Sequence, residues 1–303
     1  MKAAAIRSFG GPEVVELLDV ATPAAGPGEV RVRMRAAGVQ PADCAVRGGW
    51  APPGQELSFP QRIGNEFAGV VDQVGEGAAG FPVGSEVLGW ALLAAHAEYV
   101  VVPVDQIVPK PAAMPWPVAG ALSASGQTAH TGLERLEVGP GDTLLVHAAA
   151  GGVGTVAVQL ARAYGATVIG TAGPRNHDYL RSLGAIPVAH GAGLADRVRE
   201  LAPQGVTAAL DGAGGEAVDV SVELVGDRRR IGTLVAFDRV AELGVLGLFA
   251  QRSTERLRQL TALWADGGLH IEIARTYPLA EAAEAHRAVE TRHVRGKIAL
   301  VAG

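Results

Sequence analysis

Cysteine is almost missing from this chain: Cys44 is the only one in 303 residues. An internal disulfide is therefore impossible, and zinc sites built on four cysteines are excluded. Lysine is also scarce. Only Lys2, Lys110 and Lys297 occur, so 23 of the 26 basic residues are arginines, a bias that fits a GC-rich coding sequence rather than a mechanism. There is no run of basic residues and the formal net charge is −5. A nucleic-acid surface or a polybasic membrane patch is not expected from such a balance. The opening MKAAAIRSFGG has no apolar core segment because Arg7 interrupts it, so no secretory signal is read there. With a single thiol, this points to a reducing, cytoplasmic setting. No convincing membrane span is present either. Residues 143–161 carry no formal charge over 19 positions, close to transmembrane length. They include Gly151, Gly152 and Gly154 as well as His147 and Gln159, which favours strand–turn–helix.

What the chain does have is core. Apolar residues make up 48% and charged residues 19%, which excludes general disorder, and the length suggests about two domains. Of 18 prolines, 13 fall in the first 117 residues. Periodicity changes at the same place. Val30, Val32 and Met34 alternate with Arg31, Arg33 and Arg35, the pattern of a half-buried strand with arginines outward. FAGVV (67–71), SEVLGW (85–90) and AEYVVV (97–102) are further short strands between Gly/Pro punctuation. The first ~100 residues thus read as a small barrel-like β unit. PKPAAMPWP (109–117) reads as a stiff connector, since its four prolines oppose both ladder and helix.

Beyond the connector, strands and helices alternate. TLLVH (143–147) is a continuous apolar run, as expected for a strand covered on both faces. Val153, Val156, Ala157, Leu160 and Tyr164 then recur at helical spacing. Strands are expected at 166–171, 187–190, 206–210 and 230–237, with helices at 178–183, 197–201 and 216–225. A last helix at 281–289 and strand at 297–301 close the chain. Alternation of this kind implies right-handed crossovers and a parallel sheet.

HAAAGGVGTVAVQLA (147–161) sits after an apolar strand and opens an amphipathic helix, where a phosphate-binding turn belongs. Ala150, Gly151, Gly152 and Val153 would bring backbone close to a pyrophosphate. The helix start and its dipole would favour the negative charge, and Gly154 would allow close helix–strand packing. The first glycine of the usual G-x-G-x-x-G is replaced by Ala149. An acidic residue about 20 positions on would select NAD through the ribose 2′-hydroxyl. Here Thr171 occupies that place, in TAGPRNH, and no carboxylate follows until Asp178. Arg175 suits a 2′-phosphate and Asn176 can donate beside it, so NADP(H) is expected over NAD(H).

AAGVQPADCAVRGG (36–49), GNEFAGVV (64–71), AAAGGVG (148–154) and HVRGKIALV (293–301) occur in an order that resembles the medium-chain dehydrogenase/reductase superfamily, in its zinc-independent quinone oxidoreductase (zeta-crystallin-like) branch. The resemblance implies an α/β fold: a Rossmann doubly wound parallel sheet (residues 119–270) plus a GroES-like β-barrel domain (1–118 and 271–303). It implies NADPH in the Rossmann domain, a substrate cleft beside it, and a homodimer joined through a sheet edge; residues 241–249 are read either as that edge or as a buried internal strand. It places Gln40 and Asp43 at the cleft, although Gln40 replaces the usual Asn and Ala45 a frequent Tyr. Thr128 matches a position beside the nicotinamide, and His130 or His96 is a candidate proton donor. Gly212, Val235, Phe237 and Lys297 are expected near the cofactor. Zinc is not expected: Asn65 stands where zinc-dependent relatives have His, no histidine precedes His96, and three convergent ligands are required.

The sequence therefore points to an NADPH-dependent reductase of quinones or α,β-unsaturated carbonyls, acting on small molecules. An enoyl-thioester or polyketide-tailoring reductase would use the same domains. A redox-inert NADPH-binding protein is the alternative from another class.

Overall fold

A computed structural model describes residues 1–302. In chain order the first elements are β1 (Lys2–Ile6), β2 (Val15–Asp19), β3 (Glu29–Val39), α1 (Pro41–Arg47), β4 (Gln61–Arg62), β5 (Glu66–Val74), β6 (Glu86–Trp90), β7 (Tyr99–Pro103), β8 (Ile107–Pro109) and α2 (Trp116–Arg135). The α/β stretch follows with β9 (Thr143–Val146), α3 (Gly152–Ala163), β10 (Thr167–Thr171), α4 (His177–Ser182), β11 (Ile186–Val188), α5 (Leu194–Leu201), β12 (Ala208–Asp211), α6 (Glu216–Leu224), β13 (Ile231–Thr233), α7 (Val240–Leu243) and β14 (Leu246–Gly247). Last come α8 (Thr254–Ala265), β15 (Ile273–Pro278), α9 (Ala282–Glu290) and β16 (Lys297–Val301).

Two compact units form. One comprises Met1–Ala124, Ser253–Ala265 and Ile271–Gly303; the other Ser125–Arg252 and Asp266–His270. Their boundary falls inside α2, between Ala124 and Ser125. Residues 253–265, grouped with the nucleotide half from sequence, fall in the first unit.

The first unit holds a seven-stranded sheet, ordered β15-β16-β3-β5-β6-β8 with β7 also on β3, and a small sheet β2-β1-β4. β3 shows why the alternating segment is a strand: Val30, Val32 and Met34 are buried, while Arg33 is exposed. Arg31 turns outward to bind Asp72 through Nη2 at 2.9 Å and lies over the Tyr99 ring. The barrel core gathers Phe67, Val87, Val100 and Ile107 with Ile298 and Leu300 from the C-terminal strand.

The second unit is a six-stranded sheet, order β11-β10-β9-β12-β13-β14, whose strand pairs are all parallel. Consecutive pairs are joined by helices, the doubly wound arrangement expected from alternation. Leu145, Ile169, Ala209 and Ile231 line its core with Val198 and Val225.

Three expectations need correction. The proline-rich connector is shorter than expected: β8 ends on Pro109 and α2 starts at Trp116, so Pro117 sits in a first helical turn, where its missing N–H costs nothing. The strand expected to reach residue 237 stops at Thr233, because the Thr233 hydroxyl takes the N–H groups of Val235 and Ala236 and turns the chain out of the ladder. Residues 241–249 are not one strand. Gly244 ends α7 in a left-handed conformation, leaving the two-residue β14 at the sheet edge.

Candidate active site

In the second unit, the chain leaves β9 through His147 and Ala148, turns at Ala149–Ala150, and enters α3 at Gly152 with Gly151 as its N-cap. Ala148 is held at φ 55°, a left-handed conformation that costs a non-glycine residue about 1–3 kcal/mol and persists only when neighbours over-determine it. The neighbours are identifiable. Ala148 N donates to Thr171 Oγ1 (3.2 Å); Ala149 N donates to the Thr171 carbonyl and Gly151 N to the Ala148 carbonyl, both at 3.0 Å. A Cβ on Gly154 would lie 2.4 Å from Ala148 O and 2.6 Å from Ala149 Cα, so the helix and turn touch backbone to backbone. At Gly151 the nearest atom to such a Cβ is 3.3 Å away. This turn has an open small-residue rim and, at Gly152 and Val153, the first helical N–H groups, which lie beyond the intrahelical ladder. That combination fits a pyrophosphate.

Thr171 ends β10, buried, with its hydroxyl on the turn and 3.4 Å from His147 Nδ1. Its side chain shapes the turn from below. Past it, Arg175 is exposed and Asn176 half-buried in the short segment before α4. Asp178, the first carboxylate, pairs with Arg181 at 2.6 Å. The end of β10 thus offers a guanidinium and no acid, which fits a phosphorylated ribose.

Beyond β12, a Cβ on Gly212 would lie 3.3 Å from His147 O, and one on Gly214 would lie 3.2 Å from Val235 Cγ2. The Gly-rich segment, the first turn and the β13 loop therefore lie side by side along the carboxyl edge of the sheet, where ligands of open α/β sheets bind. Phe237 stacks on Phe249 (centroids 4.5 Å apart, planes 8° apart) at that edge. His147 is buried, with Nε2 3.0 Å from Ser221 Oγ; burial pushes it down to about 4, so it is neutral. Thr128 and His130 lie half-buried in α2, and the buried His130 Nδ1 has no partner.

In the first unit, Gln40, Asp43 and Lys297 are drawn together by two residues that the sequence reading passed over as site residues, Glu66 and Asn65. Gln40 caps α1, its N–H bonded to Asp43 Oδ2 at 2.9 Å. Asp43 Oδ1 accepts from Asn65 Nδ2 at 2.6 Å. Glu66 Oε1 accepts from Gln40 Nε2 (3.1 Å) and from Lys297 Nζ (2.9 Å), and Oε2 from Ala124 N (2.6 Å). Gly38 makes room for this carboxylate, since a Cβ there would lie 2.1 Å from Oε1. The cue available in sequence was a glutamate within an apolar strand.

Exposure separates these residues. Asp43 is 1% exposed, and burial raises its carboxyl above the usual range. Gln40 is half-buried and reachable. Lys297 is spent on Glu66. His96 is enclosed, with Nε2 donating to the Gly38 carbonyl at 3.0 Å, which removes it as a proton donor to substrate. Cys44 lies 3.6 Å from His286 Nδ1; burial pushes the thiol up to about 12 and the imidazole down to about 3. Among the described residues no group of three His, Cys, Asp or Glu side chains is placed to hold a metal ion, and no helix is long and apolar enough to cross a membrane.

Residues 26–112 match the family described as "Alcohol dehydrogenase GroES-like domain" and 183–300 the one described as "Zinc-binding dehydrogenase". The quinone oxidoreductase of Pseudomonas aeruginosa is 34% identical, with 97% of each chain covered. The chain belongs to the medium-chain dehydrogenase/reductase superfamily, in its quinone oxidoreductase branch. Among solved members, the quinone oxidoreductase of Coxiella burnetii superposes with a TM-score of 0.90 at 32% identity, over 100% of this chain and 99% of that one. The Escherichia coli quinone oxidoreductase, solved with NADPH, gives 0.88 at 27% identity, with 100% of both chains covered. The zinc named in one family description has no matching donor set here: Asn65 is engaged with Asp43, and three convergent ligands are not found among the described residues.

Proposed function

We propose that this superfamily member is an NADPH-dependent, zinc-independent oxidoreductase that reduces quinones or α,β-unsaturated carbonyls. The observation that carries the reading is the end of β10: an exposed Arg175 with no carboxylate before Asp178, beside a turn open at Gly151 and closed at Gly154. Ala150 to Gly154 would hold the pyrophosphate, Arg175 and Asn176 the ribose 2′-phosphate, and Gly212, Val235, Phe237 and Thr128 the nicotinamide end. NADPH bound there supplies the hydride. The NADPH complex of the Escherichia coli quinone oxidoreductase, which covers all of this chain, supports the cofactor.

The protein's own share is orientation and charge stabilisation. Within the first unit, Glu66 fixes one N–H of the Gln40 amide, so the second N–H of Nε2 is the one left to donate to a substrate oxygen. The buried Lys297, with Nζ 2.9 Å from Glu66 Oε1, holds that carboxylate in place and is a positioning residue. The proton comes from solvent or from His130. A homodimer in the cytoplasm is part of the same proposal, and sedimentation tests the association.

The test is a panel of acceptors with NADPH: 1,4-benzoquinone, 9,10-phenanthrenequinone, a simple enone and crotonyl-CoA. Turnover of quinone or enone supports the reading. Turnover of the thioester alone moves the assignment to enoyl-thioester reduction, and tight binding without any turnover to a redox-inert role.

A further inference from the structure

Asp211 is the last residue of β12 and Thr233 the last of β13, and they pair across the parallel ladder. Both are fully buried. Asp211 Oδ1 accepts from Ala213 N and from Gly214 N, each at 2.8 Å. Its Oδ2 accepts from the Thr233 hydroxyl at 2.8 Å. Thr233 Oγ1 in turn accepts from Val235 N (3.2 Å) and Ala236 N (2.9 Å). Two side chains thereby absorb four backbone N–H groups from two adjacent loops.

The chemistry leaves the network one arrangement. Both carboxyl oxygens of Asp211 act as acceptors and between them take three donors. The hydroxyl has one proton, which goes to Asp211 and leaves the Thr233 lone pairs for the two amides. Polar groups buried like this are costly unless every partner is in place. The clamp also turns the 212–214 loop against Val235, whose side chain stays 47% exposed beside Gly214.

We infer that Asp211 and Thr233 are positioning residues that preset the 212–214 and 235–236 loops to receive the nicotinamide end of the cofactor. The inference rests on the NADPH reading above. In it, these loops bind cofactor without reorganising, which saves ordering cost on association.

The experiment uses the full-length protein and three variants: Thr233→Val, which keeps shape and loses both hydroxyl roles; Thr233→Ser, which keeps the hydroxyl; and Asp211→Asn, which places an N–H where Thr233 needs an acceptor. Amide hydrogen exchange at Ala213, Gly214, Val235 and Ala236 is read without cofactor, and NADPH affinity by fluorescence. Thr233→Val is expected to speed exchange at Val235 and Ala236 and to weaken NADPH about tenfold, as expected for loss of one or two net hydrogen bonds. Thr233→Ser is expected to stay within about twofold of wild type, and Asp211→Asn to follow Thr233→Val. Unchanged exchange and affinity in Thr233→Val overturn the inference, as does Thr233→Ser failing equally. If Thr233→Val does not fold, wild-type exchange and affinity in Asp211→Asn overturn it. If the wild-type protein does not bind NADPH, the cofactor reading fails on its own, and unaltered exchange still refutes the clamp.

Discussion

Lys297 Nζ lies 2.9 Å from Glu66 Oε1, and the two side chains are 5% and 0% exposed. A lysine placed in sequence near the cofactor is thus the counter-charge of a buried carboxylate that also holds Gln40.

Removing one partner of such a pair leaves the other buried and uncompensated. Lys297→Met is expected to lower unfolding stability by about 3–5 kcal/mol. The double variant Lys297→Met/Glu66→Gln should recover most of that. Urea unfolding measures both; a loss below about 1 kcal/mol in the single variant would contradict the assignment.

The turn yields a contrast between two glycines. Gly154→Ala forces a Cβ to 2.4 Å from Ala148 O, whereas Gly151→Ala meets only that oxygen, at 3.3 Å, from an N-cap with negative φ. The first variant is expected to lose about 2–3 kcal/mol of stability through overpacking. The second should keep its thermal midpoint and lose NADPH affinity, because the added methyl occupies the rim where the pyrophosphate approaches. Wild-type affinity in Gly151→Ala would move the phosphate site elsewhere.

Arg175→Ala removes a charge-assisted donor, a change of about 1.5–3 kcal/mol, or roughly ten- to a hundredfold in NADPH affinity. NADH affinity should stay within about twofold. Equal losses for both cofactors would contradict a 2′-phosphate contact.

Much of this was legible in the sequence for physical reasons. Period-two alternation from Val30 to Arg35 marks a sheet with one buried face, and the apolar TLLV run before a glycine turn marks a covered parallel strand. The missing acid between Thr171 and Asp178 is a direct reading of composition at one loop. Glu66, Asp211 and His286 were not legible as hubs. Their partners Lys297, Thr233 and Cys44 are remote in sequence, and a buried carboxylate cannot be told from a solvated one until its strand is placed. The helix α2 was hidden by prolines at its start and by small residues that give it little amphipathic stripe.

Stability is expected to fall with acid. Folded His286 stays neutral down to about 3 and folded His147 to about 4, both through burial, whereas unfolded histidines take up a proton near pH 6.5. The unfolded state therefore binds more protons below about pH 6.5, and stability drops as pH falls from there through the folded values. Asp43, raised by burial, works in the opposite direction. Comparing wild type with His286→Gln isolates one histidine. Between pH 7 and pH 5 the wild type should lose about 2 kcal/mol more than the variant, by the linkage relation. Parallel pH profiles would mean that His286 already titrates normally in the folded protein.

NADPH use in quinone reduction is tested by kcat/KM for NADPH and NADH side by side, with 9,10-phenanthrenequinone as the common acceptor. Turnover is expected with NADPH favoured by about tenfold or more, the factor that one charge-assisted contact provides. Equal use of both cofactors, or a preference for NADH, would contradict it.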